Sequence, residues 1–306
     1  MKRRVIITPG SLWWVMKHAL NGWWNDNIPR LGASLAYYTL FSLAPILLIA
    51  IAMAGLVFGA EAVRGEIVGQ IQGLVGKQGA EAVQSMLESA AKPSSSKLAT
   101  AVGLFTFFLG STGVFLELQT ALDGIWRVKP KPSAGIRQFL LPRLISFGLV
   151  VVVGFLLLVS LLVSAVLAAL DRYMGNAFPA LTVVWQGANV LLSLGIITLL
   201  FTLIYKVLPD VDLRWRDVWV GGLVTAGLFS IGKQVIGLYL GRSTLASSYG
   251  AAGSVVVLLL WVYYSAQIVL LGAEFTRFYV DRFGGRPPAE HATKDPAPRM
   301  GVEPEG

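Results

Sequence analysis

Cysteine is absent from all 306 residues. Disulfide staples, thiolate nucleophiles, cysteine-ligated zinc and iron–sulfur clusters are therefore excluded together, and thiols say nothing of the redox compartment. Histidine is nearly absent as well. His18 and His291 lie in the N-terminal segment and in the tail, so no histidine metal cluster or serine–histidine pair can form among the apolar tracts between them. No phosphate loop of the form GxxxxGK[ST] occurs, and Gly79, Gly103 and their neighbours are too scattered for a dinucleotide fingerprint. No catalytic residue, metal site or cofactor is expected, and the chain does not read as an enzyme. Charge is the last scarcity: 14% of residues are charged, against roughly 25% in a soluble domain.

What fills the chain instead is apolar, 55% of all residues, gathered into uncharged tracts at 31–60, 98–116, 144–170, 173–205, 218–232 and 243–273. A helix crossing about 30 Å of hydrocarbon needs about 20 mainly apolar residues. Five tracts meet that length, and the shorter one from Val218 continues past Lys233 to Gly241. Pro179 and Tyr249-Gly250 suit loops and trim the two longest tracts. The expected fold is all-α: a polytopic membrane protein with six transmembrane helices near 31–60, 97–118, 142–170, 181–207, 217–241 and 251–279, all within a membrane domain at 31–283.

Basic residues resist translocation and are held by anionic lipid on the cytoplasmic face. The N-terminal segment, the 117–143 loop, the 206–217 loop and the C-terminal region together carry 18 of the 25 Lys and Arg residues, and the opposite loops carry six. Both termini are therefore expected in the cytoplasm. The same distribution accounts for the net charge of +8 without nucleic acid as a partner; the expected partners are membrane lipids, with a homo-oligomer left open.

Three elements lie outside the spans. Lys2-Arg3-Arg4 is followed by too short an apolar run to read as a cleaved signal peptide, so the first span is expected to act as its own anchor. In the 1–30 segment, Leu12, Val15, Met16, Ala19, Leu20 and Trp23 recur at helical spacing behind a capping Ser11. With Trp13, Trp14, Trp24 and Lys17, they describe an amphipathic helix that either lies in the headgroup layer or docks on the bundle. At 61–92, Val63, Ile67, Ile71 and Leu74 share one face and Val83, Met86, Leu87 and Ala90 another, divided by Gly76 and Gly79; this predicts an external helical hairpin. The 284–306 tail, rich in Pro and Gly and without apolar periodicity, is expected to remain disordered in the cytoplasm.

Polar side chains within the spans need a reason, because a central Lys or Asp costs about 2.5–3.5 kcal/mol on insertion scales. Lys233 stands roughly 6 Å to the external side of its helix middle at the usual rise of 1.5 Å per residue. It either holds an anionic headgroup, a phosphate or a proton-relay partner, or snorkels outward along its own stem. Gln267 is placed near it in depth, and with Tyr249 and Tyr263 completes a candidate substrate or lipid-binding set. Glu117 and Glu274 fall at the cytoplasmic ends of their helices, where Arg127, Arg143 and Arg277 are the available cations. That group reads as an interfacial charge network, either a helix-end anchor or a gate. Pro45 frees a backbone carbonyl in the first span and is either a packing kink or a hinge. Gly221-Gly222, Gly227 and Gly232 point to close helix approach in the fifth.

Ordered motifs add a resemblance. The run from Gly32 through Ala33-Ser34-Leu35-Ala36-Tyr37-Tyr38-Thr39-Leu40-Phe41-Ser42-Leu43-Ala44 to Pro45 resembles the opening signature of the YihY / virulence factor BrkB family. Ala121-Leu122-Asp123-Gly124-Ile125-Trp126, Tyr205-Lys206-Val207-Leu208-Pro209, Ser248-Tyr249-Gly250-Ala251, Trp261-Val262-Tyr263 and Leu270-Leu271-Gly272-Ala273-Glu274 follow in the family's order, covering roughly 25–283. Asp123 stands where the family usually has Asn, a conservative departure. The resemblance implies a bacterial-type inner-membrane protein of six spans linked with envelope integrity and serum resistance. It names no catalytic residue, and the ribonuclease label once given to members finds no metal-carboxylate or histidine site here.

Two functions follow for weighing. The first is a transporter-like protein that moves or exposes an anionic lipid or other envelope component, motivated by Lys233, Gln267 and Glu274 and by the glycine-rich fifth helix. The second is a non-transporting scaffold, in which the 61–92 hairpin or the basic cytoplasmic loop recruits envelope-assembly partners.

Overall fold

Long uncharged runs leave the backbone one way to satisfy its polar groups in hydrocarbon, which is within each segment as helix. Every regular element among the described residues of the computed structural model is accordingly α-helical; those residues are 9–91, 113–128, 148, 179–242, 249 and 252–283. In chain order the helices are α1 (Pro9–Asn25), α2 (Ile28–Phe58), α3 (Ala60–Ala91), α4 (113–125), α5 (Pro179–Val207), α6 (Trp215–Arg242) and α7 (Gly253–Phe283).

Four of these, α2, α5, α6 and α7, are long and apolar enough to cross a membrane, and they coincide with the expected first, fourth, fifth and sixth spans. Most of the expected spans at 97–118 and 142–170 lies outside the described residues, as does the 284–306 tail.

Each boundary has a local cause. Asn27 adopts the left-handed conformation at φ 53° between α1 and α2, and Pro29 follows within the first turn of α2, where its missing N–H has no helical partner to lose. Gly59 closes α2 with its N–H on the Gly55 carbonyl and φ 85°. Pro45 sits inside α2 without breaking it.

Gly76 interrupts α3 at φ 78° and ψ 176°, a region that only glycine enters readily. The two arms fold back on each other there: Val63 from the first and Val83 and Leu87 from the second enter one core with Ile51 of α2 and Leu258 of α7. The hairpin is therefore seated along the flank of α2 and against the beginning of α7.

The main core joins Ile28 and Leu35 of α2 to Leu122, Ile125 and Trp126, to Phe201 and Tyr205 of α5, and to Leu270 and Ala273 of α7. α7 is the hub, packing on α1, α2, α3 and α6. Its pairings with α2 and α6 are antiparallel: Gly32 lies against Gln267, Gly221 against Thr276, and Gly232 against Ile268 and Tyr264.

Candidate functional site

Lys233 follows the closest approach of the second half of α6 to α7. Gly232 has no side chain, and a Cβ there would stand 2.4 Å from Ile268 Cδ1 and 3.1 Å from the Tyr264 hydroxyl. Lys233 follows directly. Tyr264 is midway along α7 between its start at Gly253 and the buried Glu274, so Lys233 stands about 15 Å from either level at 1.5 Å per residue. Within α6 itself it stands about 7 Å past the helix middle at the same rise, close to where the sequence placed it. Its side chain is half-buried and makes no hydrogen bond or ion pair among the described residues.

Gln267, expected near Lys233 in depth, is turned toward α1 and α2. Its Oε1 accepts a 3.0 Å hydrogen bond from Trp23 Nε1 of α1, and its amide fills the space left by Gly32, where a Cβ would stand 2.0 Å from Nε2. Tyr263 borders the same glycine. Gln267 and Tyr263 thus belong to the flank of α7 that meets α1 and α2, whereas Gly232, the residue before Lys233, packs on the flank that meets α6. Tyr249 is an exposed turn residue ahead of α7.

The charge network is a second site, and only part of its membership is legible in the sequence. Glu274 is fully buried and Arg277 nearly so, one helical turn apart on α7, with Arg277 Nη2 3.1 Å from Glu274 Oε2. The other arm of the guanidinium reaches Asp26 Oδ2 at 2.9 Å and donates to the Ile125 carbonyl at 2.7 Å. One cation therefore ties the α1–α2 elbow and the end of α4 to α7. Gly22 makes the room, since a Cβ there would stand 2.7 Å from Glu274 Oε2. Arg127, in the left-handed region at φ 53°, is exposed and makes no ion pair among the described residues. Glu117 does not join Glu274: it accepts a short hydrogen bond from Ser34 Oγ of α2. Arg143 lies outside the described residues.

Asp26 was missed, although a signal existed, because it is the single acidic residue among the first 60. In the sequence Asp123 stands out only as a departure from a motif. It accepts the Asp210 N–H at 2.7 Å, so its side chain joins the segment 121–126 to the residue that directly follows 205–209. An Asn could accept the same bond through its side-chain carbonyl.

Between α5, α6 and α7 lies a seam of glycine, threonine and tyrosine. Tyr205 donates to the Val269 carbonyl at 2.6 Å and stands 3.0 Å from Thr225 Oγ1. Gly221, Gly222 and Gly272 each abut a threonine hydroxyl. Close approach over small residues with interhelical hydrogen bonds is how helices associate where lipid removes the hydrophobic drive between them.

A family model described as virulence factor BrkB matches residues 19–296. Curated relatives carry the name UPF0761 membrane protein. One from Ralstonia nicotianae is 30% identical over 262 residues, 85% of this chain and 57% of the relative. Another from Rhodospirillum centenum is 31% identical over 268 residues, with 86% and 56% covered. A third from Verminephrobacter eiseniae is 29% identical over 270 residues, with 85% and 60% covered. The chain thus spans little more than half the length of these relatives. No solved structure matches it.

Proposed function

We propose that this chain, which belongs to the virulence factor BrkB family of membrane proteins, is a transporter-like protein that binds and moves, or exposes, an anionic lipid or another anionic envelope component. The observation that carries this reading is Lys233: a cation two-thirds of the way along a membrane-crossing helix, half-buried, with no counter-charge among the described residues. A charge at that depth costs about 2.5–3.5 kcal/mol on insertion scales, and an anionic headgroup entering from the leaflet would offset it. Intramembrane ionisable residues commonly line substrate routes. In this reading Lys233 attracts the headgroup and the glycine seam lets α6 shift against α7. The Arg277 clasp holds the cytoplasmic ends of the helices together while it does so. In this reading the membrane is a bacterial-type inner membrane with both termini in the cytoplasm, which the distribution of Lys and Arg supports.

Transbilayer movement of a fluorescent phosphatidylglycerol in reconstituted vesicles, read by dithionite quenching, tests the proposal. Expected is quenching of the inner-leaflet label in vesicles holding the wild type, slowed to the protein-free rate by Lys233→Met and weaker for a phosphatidylcholine label. Wild-type vesicles no faster than protein-free ones would remove transport and leave a scaffold seated on its hairpin.

A further inference from the structure

α1 meets the bundle with one face only. Val15 and Ala19 are fully buried against Phe275 and Tyr279 of α7, on the same side as Trp23 with its bond to Gln267. Away from that contact, Leu12, Trp13, Leu20 and Trp24 are bare, with Trp13 70% and Trp24 72% exposed.

The first turns of α6 continue this surface. Trp215 and Trp219 are exposed as well, while Val220 and Val224 beside them pack into the α1 core. Four exposed tryptophans, from two separate elements, thus lie at the level of the last turns of α7. Indole rings, apolar in body with one polar N–H, favour the boundary between hydrocarbon and headgroups.

Charge completes the pattern. Lys17, Arg214, Arg216 and Arg282 are exposed at this end, against the exposed acids Asp212 and Asp281, and Arg282 is held over the Trp14 ring at 4.3 Å. Cations interleaved with tryptophan and leucine match an anionic headgroup layer, in which rings enter the acyl boundary and cations take phosphates.

We infer that the outer face of α1, continued by the first turns of α6, binds the anionic headgroups of the membrane leaflet on the cytoplasmic side. α1 is then a lipid-facing element with its back fastened to α7, so engagement of the leaflet holds the Trp23–Gln267 and Arg277–Asp26 contacts in place. This inference does not depend on Lys233, which lies further along α6, past its middle.

The chain has no cysteine, so one introduced thiol reports one position. A spin label on Leu20→Cys in the full-length protein, in vesicles of phosphatidylethanolamine with phosphatidylglycerol, is compared with a label on Glu88→Cys in α3. Its accessibility to oxygen, which partitions into lipid, and to a water-soluble nickel chelate is read by power saturation, with an unchanged elution profile as the check on folding. Expected is an oxygen-to-nickel ratio several-fold above that of the Glu88→Cys control, and lower in phosphatidylcholine or after Lys17→Glu with Arg216→Glu. A nickel-accessible label would place the face in water and overturn the inference. Shielding from both reagents would also overturn it, in favour of a protein partner or a second copy. An equal ratio in the two lipids would overturn the anionic preference.

Discussion

Arg277 is a single side chain that meets three elements, through Asp26 at the α1–α2 elbow, the Ile125 carbonyl at the end of α4, and Glu274 on its own helix. Removing one member of a buried ion pair leaves the other charge uncompensated, at about 3–5 kcal/mol. Arg277→Ala is therefore expected to lower the thermal unfolding midpoint of the detergent-purified protein sharply. Adding Glu274→Gln to the same chain should recover part of the loss, because the stranded carboxylate is gone; no recovery would show that Arg277 acts mainly through Asp26 and Ile125. Gly222 is the strictest glycine of the seam. A Cβ there would stand 2.2 Å from Thr202 Oγ1 and 2.9 Å from the Thr198 carbonyl oxygen, and the backbone cannot step aside as a side chain can. Overpacking of this kind costs about 1–3 kcal/mol, so Gly222→Leu should destabilise the protein by about that much. Gly187 has open space around its Cβ position, and Gly187→Leu serves as the tolerant control in the same melting experiment.

Among the elements, α3 is the one whose shape rests on a single backbone position. Any side chain at Gly76 is strained at φ 78°, at a cost of about 1–3 kcal/mol. The hairpin should open before the bundle does. Limited proteolysis of Gly76→Ala is expected to cut α3 faster than in the wild type, with the unfolding of the remaining helices unchanged; equal cutting rates would mean that the turn is held by its arms alone. The existence and approximate ends of α2, α5, α6 and α7 were legible because an uncharged run of that length has one structure available in lipid. The break at Gly76 was legible from the change of apolar face. Which flank of each helix meets which neighbour was not legible. Position along α6 and α7 marks Lys233 and Gln267 as polar residues at comparable depths, yet nothing in one sequence says that Gln267 turns toward Trp23 of α1. The docking of α1 was open for a related reason, since its apolar residues cover more than one face and only packing separates Val15 and Ala19, which are buried, from Trp13 and Trp24, which are not.

At the scale of the molecule, the uneven distribution of Lys and Arg predicts a topology that labelling can read. A thiol introduced at Glu88 should react with a membrane-impermeant maleimide added to intact cells, and one introduced at Arg216 should react only after permeabilisation. The reverse pattern would invert the orientation and move the α1 surface to the outer leaflet. The resemblance and the family match agree on what kind of membrane protein this is. The proposed function rests on one cation, Lys233, which makes no hydrogen bond or ion pair among the described residues. Native mass spectrometry of the purified protein with its co-purifying lipids, wild type beside Lys233→Ala, addresses that cation most directly. Selective retention of an anionic lipid by the wild type, lost in Lys233→Ala at an unchanged melting temperature, is the expected result. Indistinguishable and non-selective lipid profiles would contradict a headgroup site at Lys233.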